Sequence, residues 1–213
     1  LKTTSGTYFN CSLLIPSSDP TQEKEIKCWG NNDHGQLGIN NTNNIGDDSE
    51  TEIKNTEPIN FGTENGEINE GYEPIDISAG GYFACALLKH RTDSITNKNR
   101  VYCWGTNDDG ALGRGDTAFT TDAEYFGGIS GDFPDKLDAV DFGTNRYATQ
   151  IDSAGRSSCA VLDDSSVKCW GNGQYYALGQ PNQTDIGRSD VNLGDSMPIV
   201  ELGDDAGNGT GTA

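Results

Sequence analysis

The sequence predicts an all-β chain made of three consecutive copies of one unit, each with the strand content of a β-propeller blade. Three observations predict it. The same short motifs return three times in the same order, 28 of the 213 residues are glycine beside many Asn and Asp, and the apolar runs are of strand length, as in Ala84 to Leu88. Glycine, Asn and Asp at this density describe a backbone that turns often, as repetitive all-β proteins do. Long helices are not expected.

The first motif is Ser5-Gly6-Thr7-Tyr8-Phe9-Asn10-Cys11-Ser12-Leu13-Leu14. It returns as Ala79-Gly80-Gly81-Tyr82-Phe83-Ala84-Cys85-Ala86-Leu87-Leu88, and one residue shorter as Ala154-Gly155-Arg156-Ser157-Ser158-Cys159-Ala160-Val161-Leu162. The second is Ile26-Lys27-Cys28-Trp29-Gly30, then Val101-Tyr102-Cys103-Trp104-Gly105, then Val167-Lys168-Cys169-Trp170-Gly171, and it contains every tryptophan of the chain. The third is Gly35-Gln36-Leu37-Gly38, Gly110-Ala111-Leu112-Gly113 and Tyr176-Ala177-Leu178-Gly179. Equal intervals separate Cys11, Cys85 and Cys159, and chance does not produce such an alignment. Short apolar stretches complete each period: Pro58-Ile59-Asn60-Phe61 and Ile75-Asp76-Ile77, then Ala139-Val140-Asp141-Phe142 and Gln150-Ile151. Four short strands per period is the content of one blade.

These residues resemble the RCC1-like repeat, whose pattern runs roughly AG-x-x-H-x-CAL, V-x-CWG and N-x-x-GQLG. The resemblance covers the whole chain, and CWG with GQLG at fixed spacing is its specific part. It implies β-propeller blades, commonly closed into a ring of roughly seven. It also implies that Trp29, Trp104 and Trp170, with Leu37, Leu112 and Leu178, pack between neighbouring blades, while Gly38, Gly113 and Gly179 permit tight turns and close approach. The chain departs from the pattern at Tyr176, which stands where glycine is usual, and in lacking the histidine before each CAL strand. The loops Ile39 to Pro58 and Arg114 to Asp138 are also long enough to elaborate a rim.

The repeats are assigned to residues 1–74, 75–149 and 150–213, the last incomplete. Leu1 to Thr4 align with Ile75 to Ser78, and Met197 to Gly203 with Leu137 to Gly143, so both ends share one phase. An excerpt of a larger propeller or array is the expectation. A three-bladed ring closed on its own first strand is the alternative, below the usual range of blade numbers.

Six cysteines allow about 15 pairings, but the repeat leaves one natural set: Cys11 with Cys28, Cys85 with Cys103, and Cys159 with Cys169. Each pair brackets a hairpin, where facing residues on antiparallel strands come within about 5.5 Å. Six buried thiols in a cytosolic protein is the other reading. Zinc fits poorly, because no C-x-x-C exists and the histidines number two. The oxidised reading places the chain outside the cytosol, at the cell surface or beyond. Sequons at Asn40, Asn182 and Asn208 lie in expected loops and agree with it, whereas Asn10 sits inside a strand beside a cysteine and is a poorer acceptor.

A balance of 33 acidic against 14 basic residues, net −19, opposes nucleic acid and anionic lipid as partners. No run reaches the roughly 18 apolar residues that span a bilayer. No catalytic set is evident: His34 and His90 occupy unrelated positions in the repeat and read as solvated loop residues. The acidic runs Asp47-Asp48-Ser49-Glu50 and Asp204-Asp205 mark no site, and Asn107-Asp108-Asp109-Gly110 reads as a turn before it reads as a weak calcium loop. No cofactor is expected.

The sequence therefore points to a non-catalytic structural or adhesive module of an extracellular or cell-surface protein, with other protein chains or further repeats of the same protein as partners, and glycans as a further possibility. The alternative is a soluble protein-binding propeller gripping through loops of one face, with Tyr125-Phe126 or Tyr175-Tyr176 as aromatic anchors. A glycan-cleaving propeller is a third reading with little behind it. The family's nuclear role, nucleotide exchange on a small GTPase and chromatin binding, is opposed by the charge and by the expected disulfides.

Overall fold

The computed structural model describes residues 1–15, 24–46, 52–61, 72–91, 98–115, 125–126, 138–188 and 192–203. They form three antiparallel sheets, one per repeat. Blade 1 contains β1 (Lys2–Ser5), β2 (Phe9–Leu14) and β3 (Glu25–Gly30). Blade 2 contains β4 (Tyr72–Ala79), β5 (Phe83–His90), β6 (Arg100–Thr106) and the two-residue β7 (Tyr125–Phe126). Blade 3 contains β8 (Ala148–Ala154), β9 (Ser157–Leu162) and β10 (Val167–Gly171). Among the described residues no helix is long and apolar enough to cross a membrane.

The fourth strand of each blade is reduced to a few contacts at the outer edge. Ile59, Val140 and Val200 donate their N–H groups to the carbonyls of Ile26, Val101 and Val167 at 2.8, 2.9 and 2.8 Å. Single bridges Gly30 to Ile45 and Gly171 to Ile186 add to this edge, and in blade 2 β7 pairs with Gly105 and Thr106. Of the apolar stretches read as strands, 75–77 and 150–151 lie within β4 and β8, whereas 58–61 and 139–142 lie at the outer edge, where the described residues make single contacts rather than a full ladder. In the first strand of blades 2 and 3 a bulge leaves one residue, Ile75 or Thr149, out of register.

Register brings each cysteine pair face to face: Cys11 opposite Cys28, Cys85 opposite Cys103 and Cys159 opposite Cys169. All three pairs are disulfides, with Cα separations of 4.0 Å and sequence separations of 17, 18 and 10. That spacing is closer than the expected 5.5 Å and belongs with the narrow, non-hydrogen-bonded class of antiparallel pair, which brings side chains nearest.

The core lies between the blades. In β5 every residue from Phe83 to Leu88 is buried. Strand side chains alternate between faces, so Ala84, Ala86 and Leu88 join the cluster shared with Phe9, Cys11, Leu13 and Leu37 of blade 1. Phe83, Cys85 and Leu87 join the cluster shared with Ala160, Leu162, Trp170 and Leu178 of blade 3. The outer blades bury one face only, and β2 and β9 alternate accordingly.

Two interblade joints repeat the same geometry. Trp104 is fully buried and its indole N–H donates to the Gln36 carbonyl at 3.0 Å, while Trp170, equally buried, donates to the Ala111 carbonyl at 3.0 Å. Each ring crosses the Leu-Gly turn of the preceding blade. A Cβ on Gly38 would lie 2.9 Å from Trp104 Nε1, and one on Gly113 would lie 3.0 Å from Trp170 Nε1. With φ near +65° and +63° these positions exclude other side chains for two reasons at once.

Candidate functional site

The turns that follow the first strand of each blade line up along one face. Thr7 N–H donates to the Gly81 carbonyl at 2.9 Å, and Gly81 N–H donates to the Gly155 carbonyl at 2.6 Å, so a backbone ladder crosses all three blades. Beside it the loops after each CWG motif lean on the next blade's turn. His34 meets Tyr82 edge-on at 5.2 Å between ring centres, and Tyr8 lies 6.4 Å from the same ring. One joint further on the contact is ionic: Arg156 pairs with Asp108 and Asp109, both at 2.7 Å. Arg188 reaches Asp109 at 3.6 Å and Asp185 at 3.4 Å, so the Asp109 carboxylate is shared between two guanidinium groups.

A groove of about 410 Å³ opens over this ladder, lined by Thr7, His34, Tyr82, Thr106, Asp108 and Arg156 among others. Its size lies within the range of small-ligand and side-chain pockets. Its chemistry is amphipathic: aromatic edges on one side, an exposed Arg–carboxylate pair on the other. Among the described residues the Thr106 hydroxyl is buried without a hydrogen-bond partner, as is the Asn107 side-chain amide nitrogen. Of the two, Thr106 lines the groove.

The turn 107–110 takes its shape from Asn107, whose side-chain oxygen accepts from Leu112 N–H at 3.0 Å, as Asn32 accepts from Leu37 at 2.9 Å in blade 1. The acidic pair in that turn is engaged by Arg156. Among the described residues no group of three or more His, Cys, Asp or Glu side chains is arranged to hold a metal ion.

Other predicted residues fall as follows. Trp104 and Trp170 are buried at joints, with Leu37, Leu112 and Leu178, whereas Trp29 is only half-buried at the front of blade 1. Gly38 and Gly113 are buried under tryptophans; Gly179 is exposed and abuts Val200. Asn182 is exposed, and its side-chain oxygen accepts from Thr184 N–H at 3.1 Å within its own sequon. Asn40 is half-buried with φ +57°, and Asn10 accepts from the Ser5 hydroxyl at 2.7 Å across the β1–β2 pair. Asn208 and both acidic runs, 47–50 and 204–205, lie outside the described residues, as do the side chains of Tyr125 and Phe126. Tyr175 and Tyr176 are 89% and 57% exposed, both with left-handed backbone, φ +57° and +61°.

Each histidine has a ring partner: His34 is half-buried in its turn, and His90 is the last residue of a strand rather than a loop residue. His34 packs on Tyr82, and His90 closes β5 with its ring edge-on to Tyr72 at 4.7 Å. Sequence reasoning also missed two cations. Arg156 stands in the turn where the other copies carry Thr7 and Gly81, and the break in the repeat was the available signal. Lys168 is buried, its amine donating to the carbonyls of Phe142 and Gly194 at 2.9 Å each. Burial holds its pKa below the usual lysine value, against the opposing pull of Asp195 and Asp141. Its repeat equivalent Lys27 makes a similar clasp to the Thr56 carbonyl at 2.6 Å, which a motif search does not weigh.

Comparison with known proteins supports the repeat reading. The regulator of chromosome condensation (RCC1) repeat matches residues 28–87 and 98–161, more than half of the chain. The E3 ubiquitin-protein ligase HERC2 of Mus musculus is 26% identical over 168 residues, covering 79% of this chain and 3% of the ligase. The mitochondrial RCC1 domain-containing protein RUG3 of Arabidopsis thaliana is 24% identical over 188 residues, covering 88% of this chain and 32% of that protein. The chain therefore spans at most about a third of these relatives. Among solved structures, yeast RCC1 (Prp20) in complex with Kap60 superposes with a TM-score of 0.53 at 18% identity, over 87% of this chain and 35% of that one, which shows a shared fold. The chain belongs to the RCC1 repeat family.

Proposed function

We propose that the chain is a non-catalytic protein-interaction segment of an extracellular or cell-surface protein, serving a structural or adhesive role. One observation carries the reading: every blade has one disulfide at the same register position. Three such bonds persist in an oxidising compartment and are rare in the cytosol. Propellers of this repeat are in general non-catalytic, and the yeast neighbour was crystallised with a protein partner, Kap60. The exposed sequon at Asn182 agrees with passage through a secretory route.

The test is alkylation of the native protein followed by intact-mass measurement. No cysteine should react before reduction and all six after it; six reactive thiols without reduction would overturn the compartment. A mass loss on enzymatic deglycosylation, mapped to Asn182, adds to the case.

A soluble binder remains the second reading, and the groove over the turn ladder favours it. Its Tyr82 ring and Arg156–Asp108 pair are the kinds of group that anchor protein contacts. Electron microscopy of particles from the native source separates the two, since a structural role requires a lattice or filament and a soluble binder gives isolated discs.

A further inference from the structure

The groove over the turn ladder lies at the two joints inside this chain: Thr7 and His34 come from blade 1, Tyr82 and Thr106 from blade 2, and Arg156 from blade 3. Three of its groups are arranged for a ligand. Thr106 ends β6, and among the described residues its hydroxyl is buried with no hydrogen-bond partner. A buried hydroxyl left unpaired is costly, and a ligand hydroxyl placed beside it removes that cost. Tyr82 is 38% exposed, and His34 braces its ring edge-on. Arg156 is fixed by two carboxylates, one terminal nitrogen lying 2.7 Å from Asp108 and the other 2.7 Å from Asp109. The Asn172 amide donates to that same Asp109 oxygen at 2.8 Å, which holds the group from a third side.

The charges of the lining are matched within the groove, Arg156 against Asp108. A cationic ligand that reaches Asp108 meets the Arg156 guanidinium. An anionic ligand that reaches Arg156 meets two carboxylates and the field of a chain with net charge −19. To a neutral ligand the same pair offers a donor and an acceptor side by side. A guanidinium carries about five N–H donors and a carboxylate about four acceptor sites, so the contacts within the pair leave capacity on both. The two side chains are 56% and 44% exposed, so that capacity is open to a ligand. A vicinal diol, which accepts with one hydroxyl and donates with the next, matches this array, and the Tyr82 ring supplies an apolar surface for the C–H groups of a sugar ring.

We propose that the groove binds a neutral saccharide, with vicinal hydroxyls on the Arg156–Asp108 pair, a further hydroxyl on Thr106 and the C–H surface of the sugar against Tyr82. Its volume of about 410 Å³ lies toward the lower end of the small-ligand range and suits one or two sugar rings. The proposal rests on the reading of the chain as a non-catalytic binding module and gives its adhesive role a ligand, but it does not depend on the compartment. A segment of a partner protein is the other occupant, and it offers few of the paired hydroxyls that this array matches.

The test follows the amide NMR signals of the oxidised, isotopically labelled chain during titration with the methyl glycosides of glucose, galactose, mannose and N-acetylglucosamine. At least one should bind with a Kd of about 1–10 mM, moving the signals of Gly81, Thr106 and Arg156. Thr106→Val keeps the shape of the side chain and removes the hydroxyl. Binding should weaken about fivefold while Tm holds or rises, a split that a purely structural hydroxyl does not give. Tyr82→Ala should weaken binding about tenfold. Tighter binding of glucuronate, or of the cationic methyl glucosaminide, than of the neutral glucoside overturns the neutral class. Silence toward every glycoside up to about 100 mM overturns the site and returns the groove to a protein segment. Binding indifferent to both Thr106→Val and Tyr82→Ala overturns it as well, since the sugar then sits elsewhere. Thiols that react without reduction would overturn the compartment and leave this site standing, so the two failures are distinguishable.

Discussion

Replacing Trp170 by Phe keeps an aromatic ring in the joint between blades 2 and 3 but removes the N–H that reaches the Ala111 carbonyl at 3.0 Å. The site is fully buried, so that carbonyl loses its partner where water cannot replace it. The loss is about 1–3 kcal/mol for the orphaned acceptor, with a further contribution of about 24 cal/mol per Å³ for the space left by the smaller ring. The ring itself meets Phe142 edge-on at 5.6 Å, a contact that Phe largely retains. A total near 2–3 kcal/mol corresponds to a fall in Tm of roughly 5–10 °C for a chain of this size. Trp29→Phe is the internal control, since Trp29 is only half-buried and among the described residues packs at no joint of this kind. Its cost should stay within about 0.5 kcal/mol, as at other surface positions. Calorimetry on the oxidised protein measures both. Equal shifts for the two variants would refute the view that the tryptophans stabilise the fold through the joint rather than within their own blade.

Two further outcomes are expected. Removing the Cys85–Cys103 bond by a double change to Ala should cost about 3 kcal/mol from chain entropy, and removing Cys159–Cys169 a few tenths less, because its loop is shorter, with a separation of 10 against 18. Urea midpoints give the order, and a larger loss from the shorter loop would count against the entropic account. Hydrogen bonds from the Thr144 hydroxyl and N–H hold the Asp195 carboxyl below its ordinary value of 3.8. A carboxyl lowered in the folded state binds its proton more readily when unfolded. Its stabilisation is therefore present above pH 3.8 and fades as pH falls through the folded value. Asp195→Asn should flatten that part of the acid unfolding curve, measured from about pH 6 to about pH 2, and an unchanged slope would show that the Thr144 clasp is not coupled to folding.

The blades were legible in the sequence because a repeat must rebuild the same local geometry each time. Cys, Trp and Leu-Gly recur at spacings that only one strand register satisfies, and the pairing of Cys85 with Cys103 follows from that register alone. The double burial of β5 was also readable in its unbroken apolar run. Pairing across blades was not. Whether Trp29 is covered like Trp104, or Gly179 like Gly38, depends on which blade stands in front or behind, and the motif is identical in both cases. The partners of His34, Arg156 and Lys168 lie on neighbouring blades or distant loops, at separations that no periodicity encodes. Local pattern determined the strands, their register and their disulfides, since these are set by side-chain alternation within one hairpin. Only the tertiary structure decided the groove and the contacts that cover Trp104 and Trp170, since these arise where one blade's surface meets the next.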